Sequence, residues 1–174
     1  MKEYLTEKKL GLILNDIFKE EFINNKKVPN SSILNRPDFR SDILKLIVEF
    51  DGYFHYTSSK VILNDINKDN EYKKLGYEII HIPYFIQISS NIIFNLFNVN
   101  YEYKQQYPHG FIDEKVIFPA DFCEMGIDRF KNDLIKFYYV KNEIIKSLIN
   151  KIEIMNINLI LPSSLFYLIK ENII

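Results

Sequence analysis

Three acidic residues stand near one another in the stretch from residue 36 to residue 56. Asp38 comes first, and Glu49 and Asp51 follow eleven and thirteen residues later. Glu49 and Asp51 are two positions apart in a run rich in β-branched and aromatic residues, so a strand places both side chains on one face. If a turn centres near Leu44, Asp38 lies opposite them on an antiparallel strand. The spacing therefore predicts three carboxylates at one end of a hairpin.

Carboxylates this close together repel one another, and a divalent cation offsets the repulsion. Hard cations such as Mg²⁺ take carboxylate oxygens and waters as ligands, and a bound cation can activate water and stabilise charge on a phosphate. The alternative is that the acids only mark a turn, since Asp51-Gly52 is a frequent turn dipeptide. Glu49 favours the metal site, because it interrupts an apolar strand, where an unpaired carboxylate is costly.

Three further residues are candidates to act beside these carboxylates. His55 follows Gly52 by three positions. A histidine near a strand end is commonly structural, but beside carboxylates it can orient or deprotonate a water. Asp65 and Lys68 are three apart on a predicted helix and share a face. They form either a solvated surface ion pair or a border of the acidic site that contacts phosphate.

The predicted elements around these residues alternate between helices and strands. Their order is helix, hairpin, helix, strand, helix, which indicates a mixed α/β (α+β) unit. From residue 119 onward the pattern is mostly helical. The predicted helices are 3–23, 61–75, 85–97, 128–137, 141–155 and 163–173, and the predicted strands are 37–41, 44–52 and 77–82.

The ordered combination of these motifs resembles the PD-(D/E)XK nuclease superfamily. Within it, the chain is most similar to the branch of the very-short-patch repair endonucleases and related bacterial nucleases. The resemblance covers about residues 3 to 97. The matching residues are Thr6-Glu7 on the first helix, Asp38-Phe39 on the first strand, Glu49, Asp51, Gly52 and His55 on the second, Asp65 and Lys68 on the next helix, and Leu75-Gly76-Tyr77 before the last strand.

This resemblance implies a restriction-endonuclease-like fold, with a four-stranded mixed sheet flanked by helices. It implies Mg²⁺-dependent hydrolysis of DNA phosphodiester bonds, with Mn²⁺ as a substitute, in a restriction-like, phage-defence or mobile-element setting. Asp38 and Glu49 are then metal ligands, and Asp51 ligates the metal or holds a metal-bound water. His55 assists the nucleophilic water or the scissile phosphate, and Glu7 completes the outer shell of the metal.

The sequence departs from the family pattern at three points. Asp51 stands where the superfamily carries a lysine, which leaves the role of that lysine to His55 or Lys68. His81 stands where the related proteins carry arginine. The zinc ligands of the repair endonucleases are missing, because Cys123 is the single cysteine of the chain. No structural zinc is therefore expected.

Residues 1–98 are predicted to form the nuclease core, and residues 99–174 a mostly helical extension packed on it. Aromatic and basic side chains alternate in the extension, a mixture suited to nucleic-acid contacts. The alternative is that the aromatics are core residues and the lysines are solvated. The residues concerned are Tyr101, Tyr103, Lys104, Tyr107, His109, Arg129, Lys131, Lys136, Tyr138, Tyr139 and Lys141.

Composition limits the remaining choices. The 174 residues are 47% hydrophobic and 26% charged, which excludes a mostly disordered chain. The net charge of −1 carries no general signature of nucleic-acid binding, so any contact with a DNA partner must come from local basic patches. It also favours a chain that acts as a homodimer or together with a larger specificity partner. No apolar run approaches a membrane span of about 18 residues, and a cytoplasmic protein is expected.

Two rival functions remain beside a DNA endonuclease. One is a non-catalytic nucleic-acid-binding module that keeps the nuclease fold, which the missing lysine permits. The other is a cleavage subunit that depends on a partner for its DNA specificity. All three acids, Asp38, Glu49 and Asp51, are present, and this favours the enzyme.

Overall fold

The computed structural model describes residues 4–112 and 116–170. The chain divides into two compact units. The first unit comprises Met1–Asp51, Leu63–Tyr84 and Ile88–Gln106, and the second comprises Gly52–Ile62, Phe85–Gln87 and Tyr107–Ile174. The predicted assignment of residues 1–98 to a nuclease core and of 99–174 to an extension stays a prediction.

The first unit contains a four-stranded mixed sheet. Its strands are β1 (Ile23–Asn24), β2 (Phe39–Ser41), β3 (Leu46–Asp51) and β4 (Glu78–Pro83). They lie in the order β1-β2-β3-β4, with antiparallel pairing from β1 to β3 and parallel pairing between β3 and β4. The expected mixed α/β class and four-stranded sheet are therefore confirmed at this level of description.

Helices supply most of the remaining regular structure. Short 3₁₀ turns also occur at Pro119–Asp121, Tyr138–Val140 and Ser163–Leu165. None of the helices in the described ranges is long and apolar enough to cross a membrane. The α-helices are α1 (Glu7–Phe18), α2 (Phe54–Thr57), α3 (Ser59–Lys74), α4 (Ser90–Phe97), α5 (Glu124–Lys136), α6 (Lys141–Ile154), α7 (Ile157–Ile160) and α8 (Tyr167–Lys170).

Two predicted helices of the first unit are too long. The helix predicted over 3–23 ends at Phe18, because Lys19 adopts the left-handed conformation with φ of 53° and the chain then enters β1. Thr6 caps the start of the helix, since the Lys9 N–H donates to Thr6 Oγ1 at 3.2 Å. The helix predicted over 85–97 begins only at Ser90, where the Ser89 side chain caps it. Residue 3 lies outside the described residues.

Opposite faces of the sheet pack against α1 and α3. Phe39 pairs with Val48 and its ring touches Gly11 of α1, which places α1 on the Val48 face. Ile47 points to the other face, because side chains alternate along a strand. There it packs with Tyr72 of α3 in a buried apolar cluster. The cluster comprises Val28, Ile47, Tyr72 and Tyr77, with Ile33, Leu75 and Ile79 beside it.

The second unit is built on aromatic packing between short elements. The ring of Tyr56 lies 5.0 Å from that of Phe122 and 5.7 Å from that of Phe85, and Phe130 packs edge-on against both phenylalanines. The Tyr56 hydroxyl donates to the buried Asp133 carboxylate at 2.7 Å. These aromatics form the core of the second unit.

The predicted helices of the second unit are confirmed in part. The helices predicted over 128–137 and 141–155 are α5, which begins four residues earlier at Glu124, and α6. The helix predicted over 163–173 is instead a 3₁₀ turn followed by α8, and residues 171–173 lie outside the described part. The sequence did not predict α2.

Candidate metal and phosphate site

The β2–β3 hairpin brings Asp38 and Glu49 together. The two strands pair with Ser41 opposite Leu46, and residues 42–45 form the turn, as the sequence predicted. This register places Asp38, one residue before β2, opposite Glu49. The Asp38 N–H donates to Glu49 Oε2 at 3.1 Å, and the Phe50 N–H donates to Asp38 Oδ2 at 2.7 Å. Both carboxylates are thus fixed by backbone hydrogen bonds.

Helix α3 adds a lysine to this pair. The Lys68 Nζ donates to Glu49 Oε1 at 3.3 Å and lies 3.5 Å from Asp65 Oδ1. The Lys68, Glu49 and Asp65 side chains are all buried. The sequence offered a solvated surface pair as one reading of Asp65 and Lys68, and the structure places both inside the first unit instead.

Asp51, at the end of β3, and Asp65 on α3 have carboxylate oxygens at a spacing that suits a metal ion. Both are buried, and each offers a carboxylate oxygen within 4.8 Å of the other. Two carboxylate oxygens at this separation could hold one metal ion between them. Oxygen donors of this kind suit Mg²⁺, Mn²⁺ and Ca²⁺, and do not by themselves select one metal. We call Asp38, Glu49, Asp51 and Asp65 the carboxylate cluster.

His81 lies between two carboxylates beside the cluster. It pairs with Glu49 across the parallel strands β3 and β4. Its Nδ1 lies 3.0 Å from both oxygens of Asp51, and its Nε2 lies 3.1 Å from both oxygens of Asp69 on α3. Burial opposes the charged form of the ring, but Asp51 and Asp69 outweigh it and raise the pKa of His81 to about 10. The imidazolium thus supplies a positive charge beside the cluster.

Glu7 approaches the cluster through an asparagine. The Asn24 side-chain amide donates to the Asp38 carbonyl at 2.9 Å and to Glu7 Oε1 at 3.5 Å. The negative charge of Glu7 is also near enough to raise the pKa of Asp38. Glu7 therefore lies beside the cluster, and the outer role that the resemblance implied stays a prediction.

The cluster is electrostatically costly without a cation. Burial raises the pKa of Glu49 to about 7, an effect that Lys68 opposes and Asp38 reinforces. Burial also raises the pKa of Asp38, against the effect of its hydrogen bond from Phe50. A bound cation would offset both burial and repulsion, and so the donor set fits a metal.

Lys68 keeps its charge in these surroundings. Burial by itself lowers the pKa of an amine, but Glu49 and Asp65 outweigh it, and the pKa of Lys68 is raised. The side chain is therefore a fixed cation and not a general base.

His55 belongs to the second unit. It lies on α2, four residues along the chain from Asp51. Its N–H donates to the Gly52 carbonyl at 3.1 Å, and its own carbonyl accepts a hydrogen bond from Arg129 at 3.4 Å. Its predicted role as a catalytic residue stays a prediction.

The aromatic and basic residues expected to contact DNA do not share one environment. His109 is buried, and its Nδ1 accepts the Gln87 N–H at 3.0 Å, so this residue is structural. Tyr101 donates to Asp16. Tyr138 is 73% exposed, in an aromatic contact with Tyr139. DNA binding by this segment stays a prediction.

Sequence reasoning missed Asp69 and gave His81 no partner. A usable signal existed for Asp69, because Asp65, Lys68 and Asp69 recur at the three- and four-residue spacing that defines one helix face. The contact between Asp69 and His81 carried no such signal, since it depends on how α3 lies on β4.

No protein-family model, curated protein or solved structure matches the chain. The PD-(D/E)XK relationship and the restriction-endonuclease-like fold therefore stay predictions that rest on the motif residues.

Proposed function

We propose that the chain is a divalent-metal-dependent endonuclease that hydrolyses DNA phosphodiester bonds. One observation carries the proposal: three buried carboxylates and the half-buried Asp38 lie together with a buried lysine where β3 ends and α3 passes. Carboxylates bind the cation and a fixed ammonium group stabilises negative charge, and phosphodiester hydrolysis needs both. The resemblance to the PD-(D/E)XK nucleases supports the same reaction and adds DNA as the substrate.

The carboxylate cluster holds the metal in this proposal. Asp51 and Asp65 have metal-ligand spacing, and Asp38 and Glu49 lie beside them as further ligands or as acceptors for metal-bound water. A bound Mg²⁺ or Mn²⁺ would lower the pKa of a water and neutralise charge on the scissile phosphate. His55, near Asp51 along the chain, is the proposed residue that orients the attacking water.

Lys68 takes the place of the lysine that the family carries two residues after the glutamate. Asp51 occupies that strand position here, and Lys68 reaches the same Glu49 carboxylate from α3. Its role is to attract the substrate phosphate and stabilise the charge that develops on it. Arginine and lysine contacts of this kind act by position and charge, so a helix can supply them as well as a strand.

Substitutions that preserve shape test these roles. Purified wild-type protein and the variants Glu49→Gln, Asp51→Asn, Lys68→Met and His55→Ala are incubated with plasmid and with single-stranded DNA in Mg²⁺, Mn²⁺ or EDTA. We expect metal-dependent cutting by the wild type, and losses of about 10²-fold or more in the Glu49, Asp51 and Lys68 variants. Glu78→Gln is the matched control, since Glu78 is an exposed carboxylate at the far end of β4.

The variants also separate the rival functions. Cutting at the wild-type rate by Glu49→Gln or Asp51→Asn excludes the carboxylate cluster as the active site. DNA binding without cutting under any metal condition contradicts the proposal and favours a binding module. Cutting that appears only with a second protein identifies a partner-dependent cleavage subunit.

A further inference from the structure

His81 and Asp69 make a chain of contacts that ends at a proposed metal ligand. Asp51 is 1% exposed, and both of its oxygens face His81 Nδ1 at 3.0 Å. Both oxygens of Asp69 face the other ring nitrogen at 3.1 Å. An ionised carboxylate only accepts hydrogen bonds, so each nitrogen of the ring acts as a donor.

This arrangement affects both the orientation and the charge of the Asp51 carboxylate. The contact with His81 fixes the plane and direction of its carboxylate, while that carboxylate keeps further lone pairs for a second partner. The positive charge of the imidazolium also offsets the negative charge of Asp51. The negative charge of Asp69, at the other ring nitrogen, offsets that of the imidazolium in turn. The three groups together carry one negative charge, which is what a lone carboxylate would offer a cation.

We propose that His81 and Asp69 are positioning residues, which orient Asp51 for the divalent cation and maintain its charge. The inference rests on the proposed metal-binding function of the carboxylate cluster. Partners behind a ligand of this kind commonly change metal affinity by about 10- to 100-fold. Asp69 is expected to act only through the ring, since its oxygens contact His81 Nε2 and not the side that faces Asp51.

Metal affinity measured without DNA tests the inference. Binding of Mn²⁺ is followed by electron paramagnetic resonance and binding of Mg²⁺ by calorimetry, for the wild type, His81→Ala, Asp69→Asn and the double variant. His81→Asn is added because it keeps a donor near the Nδ1 position if the alanine variant unfolds. Glu71→Gln is the control. Glu71 is another carboxylate on α3, and it accepts hydrogen bonds at 2.7 Å from the N–H and the hydroxyl of Ser32 instead of contacting His81.

The expected result is an affinity at least tenfold weaker for His81→Ala and a smaller loss for Asp69→Asn. The double variant should bind no more weakly than His81→Ala alone, because Asp69 has no route to Asp51 once the ring is gone. Glu71→Gln should bind like the wild type.

Three outcomes would overturn the inference. Wild-type affinity in both His81 variants and in Asp69→Asn shows that Asp51 needs no positioning. A further loss from Asp69→Asn in the His81→Ala background shows that Asp69 acts directly. A wild-type protein that binds no divalent cation overturns the proposed function and this inference together, which distinguishes it from the first two results.

Discussion

Two buried tyrosines of the first unit differ in one hydrogen bond. The Tyr77 hydroxyl donates to Asp42, whereas the Tyr72 hydroxyl has no hydrogen-bond partner among the described residues. Burial raises the pKa of Tyr72 to about 12, so the group stays neutral. A buried hydroxyl without a partner loses its hydration and gains nothing in return.

The substitution Tyr72→Phe should therefore raise the stability of the protein. Removal of an unsatisfied hydroxyl is expected to gain about 1 kcal/mol, or about 2–4 °C in Tm for a chain of this length. Tyr77→Phe is the matched control and should lower Tm by a similar amount, because it removes the hydrogen bond that the Tyr77 hydroxyl donates to Asp42. Thermal unfolding followed by circular dichroism measures both, and a drop in Tm for Tyr72→Phe contradicts the expectation.

His109 should make stability depend on pH. Burial lowers the pKa of His109, an effect that Glu143 only partly opposes, and Nδ1 must stay unprotonated to accept the Gln87 N–H. In the unfolded chain the pKa is about 6.5, so the unfolded state binds this proton first as the pH falls. The contribution of the neutral His109 to the free energy of unfolding is therefore fully present above that pH and declines below it.

The variant His109→Asn isolates this effect. Its amide oxygen can still accept the Gln87 N–H, but it does not titrate. Any advantage in Tm of the wild type over the variant should shrink as the pH falls from 8 to 5, measured by thermal unfolding in matched buffers. A difference that stays constant over this range is inconsistent with a neutral buried His109. His81 titrates in both proteins and cancels in the comparison.

Among the elements, the β2–β3 hairpin was predicted well because its signals are local. Alternation placed Glu49 and Asp51 on one face, and the turn at residues 42–45 set Asp38 opposite Glu49. The C-terminal end of α1 was missed because pairing of Ile23–Asn24 with β2 overrides the helical pattern. The contact of Asp69 with His81 joins two elements whose relative placement no local pattern specifies.

A close approach between α2 and α5 explains one glycine of the second unit. A Cβ atom added to Gly126 would lie 1.7 Å from the Tyr56 carbonyl oxygen, a backbone atom that also accepts the Cys123 N–H. By contrast, a Cβ at Gly52 would meet nothing within 4 Å. The absence of a side chain at Gly126 is therefore a packing requirement.

The variant Gly126→Ala should be clearly destabilised. Overpacking against backbone is expected to cost about 3 kcal/mol, more than the helix propensity that alanine gains. Gly52→Ala is the control and should change stability by no more than about 0.5 kcal/mol. Urea unfolding of both variants gives the comparison, and equal midpoints would show that α5 shifts freely away from Tyr56.

At the scale of the whole molecule, the near-neutral net charge conceals a local imbalance. Acidic and basic residues almost cancel over the chain, with 23 Asp and Glu against 22 Lys and Arg. In the first unit, however, the four acids of the carboxylate cluster and Asp69 lie around Lys68 and the His81 imidazolium. The net charge predicted that any nucleic-acid contact would be local. The position of the carboxylate cluster depends on the fold and does not follow from composition.

A divalent cation should therefore stabilise the free protein. At a concentration one hundred times the dissociation constant, the gain is about 2.7 kcal/mol, or roughly 5–10 °C in Tm. A thermal-shift titration with Mg²⁺, Mn²⁺ and Ca²⁺ measures it. The shift should be lost in Asp51→Asn and kept in Glu78→Gln, and an equal shift in Asp51→Asn would place the cation elsewhere.

The most direct test of the central claim is cleavage of supercoiled plasmid by the wild-type protein and by Glu49→Gln. Glu49→Gln keeps the shape of the side chain and the acceptor for the Asp38 N–H, but removes the charge that faces Lys68. We expect nicked or linear DNA from the wild type in Mg²⁺ or Mn²⁺, none in EDTA, and none from the variant. Equal cutting by a correctly folded Glu49→Gln would contradict the assignment of the carboxylate cluster as a nuclease active site.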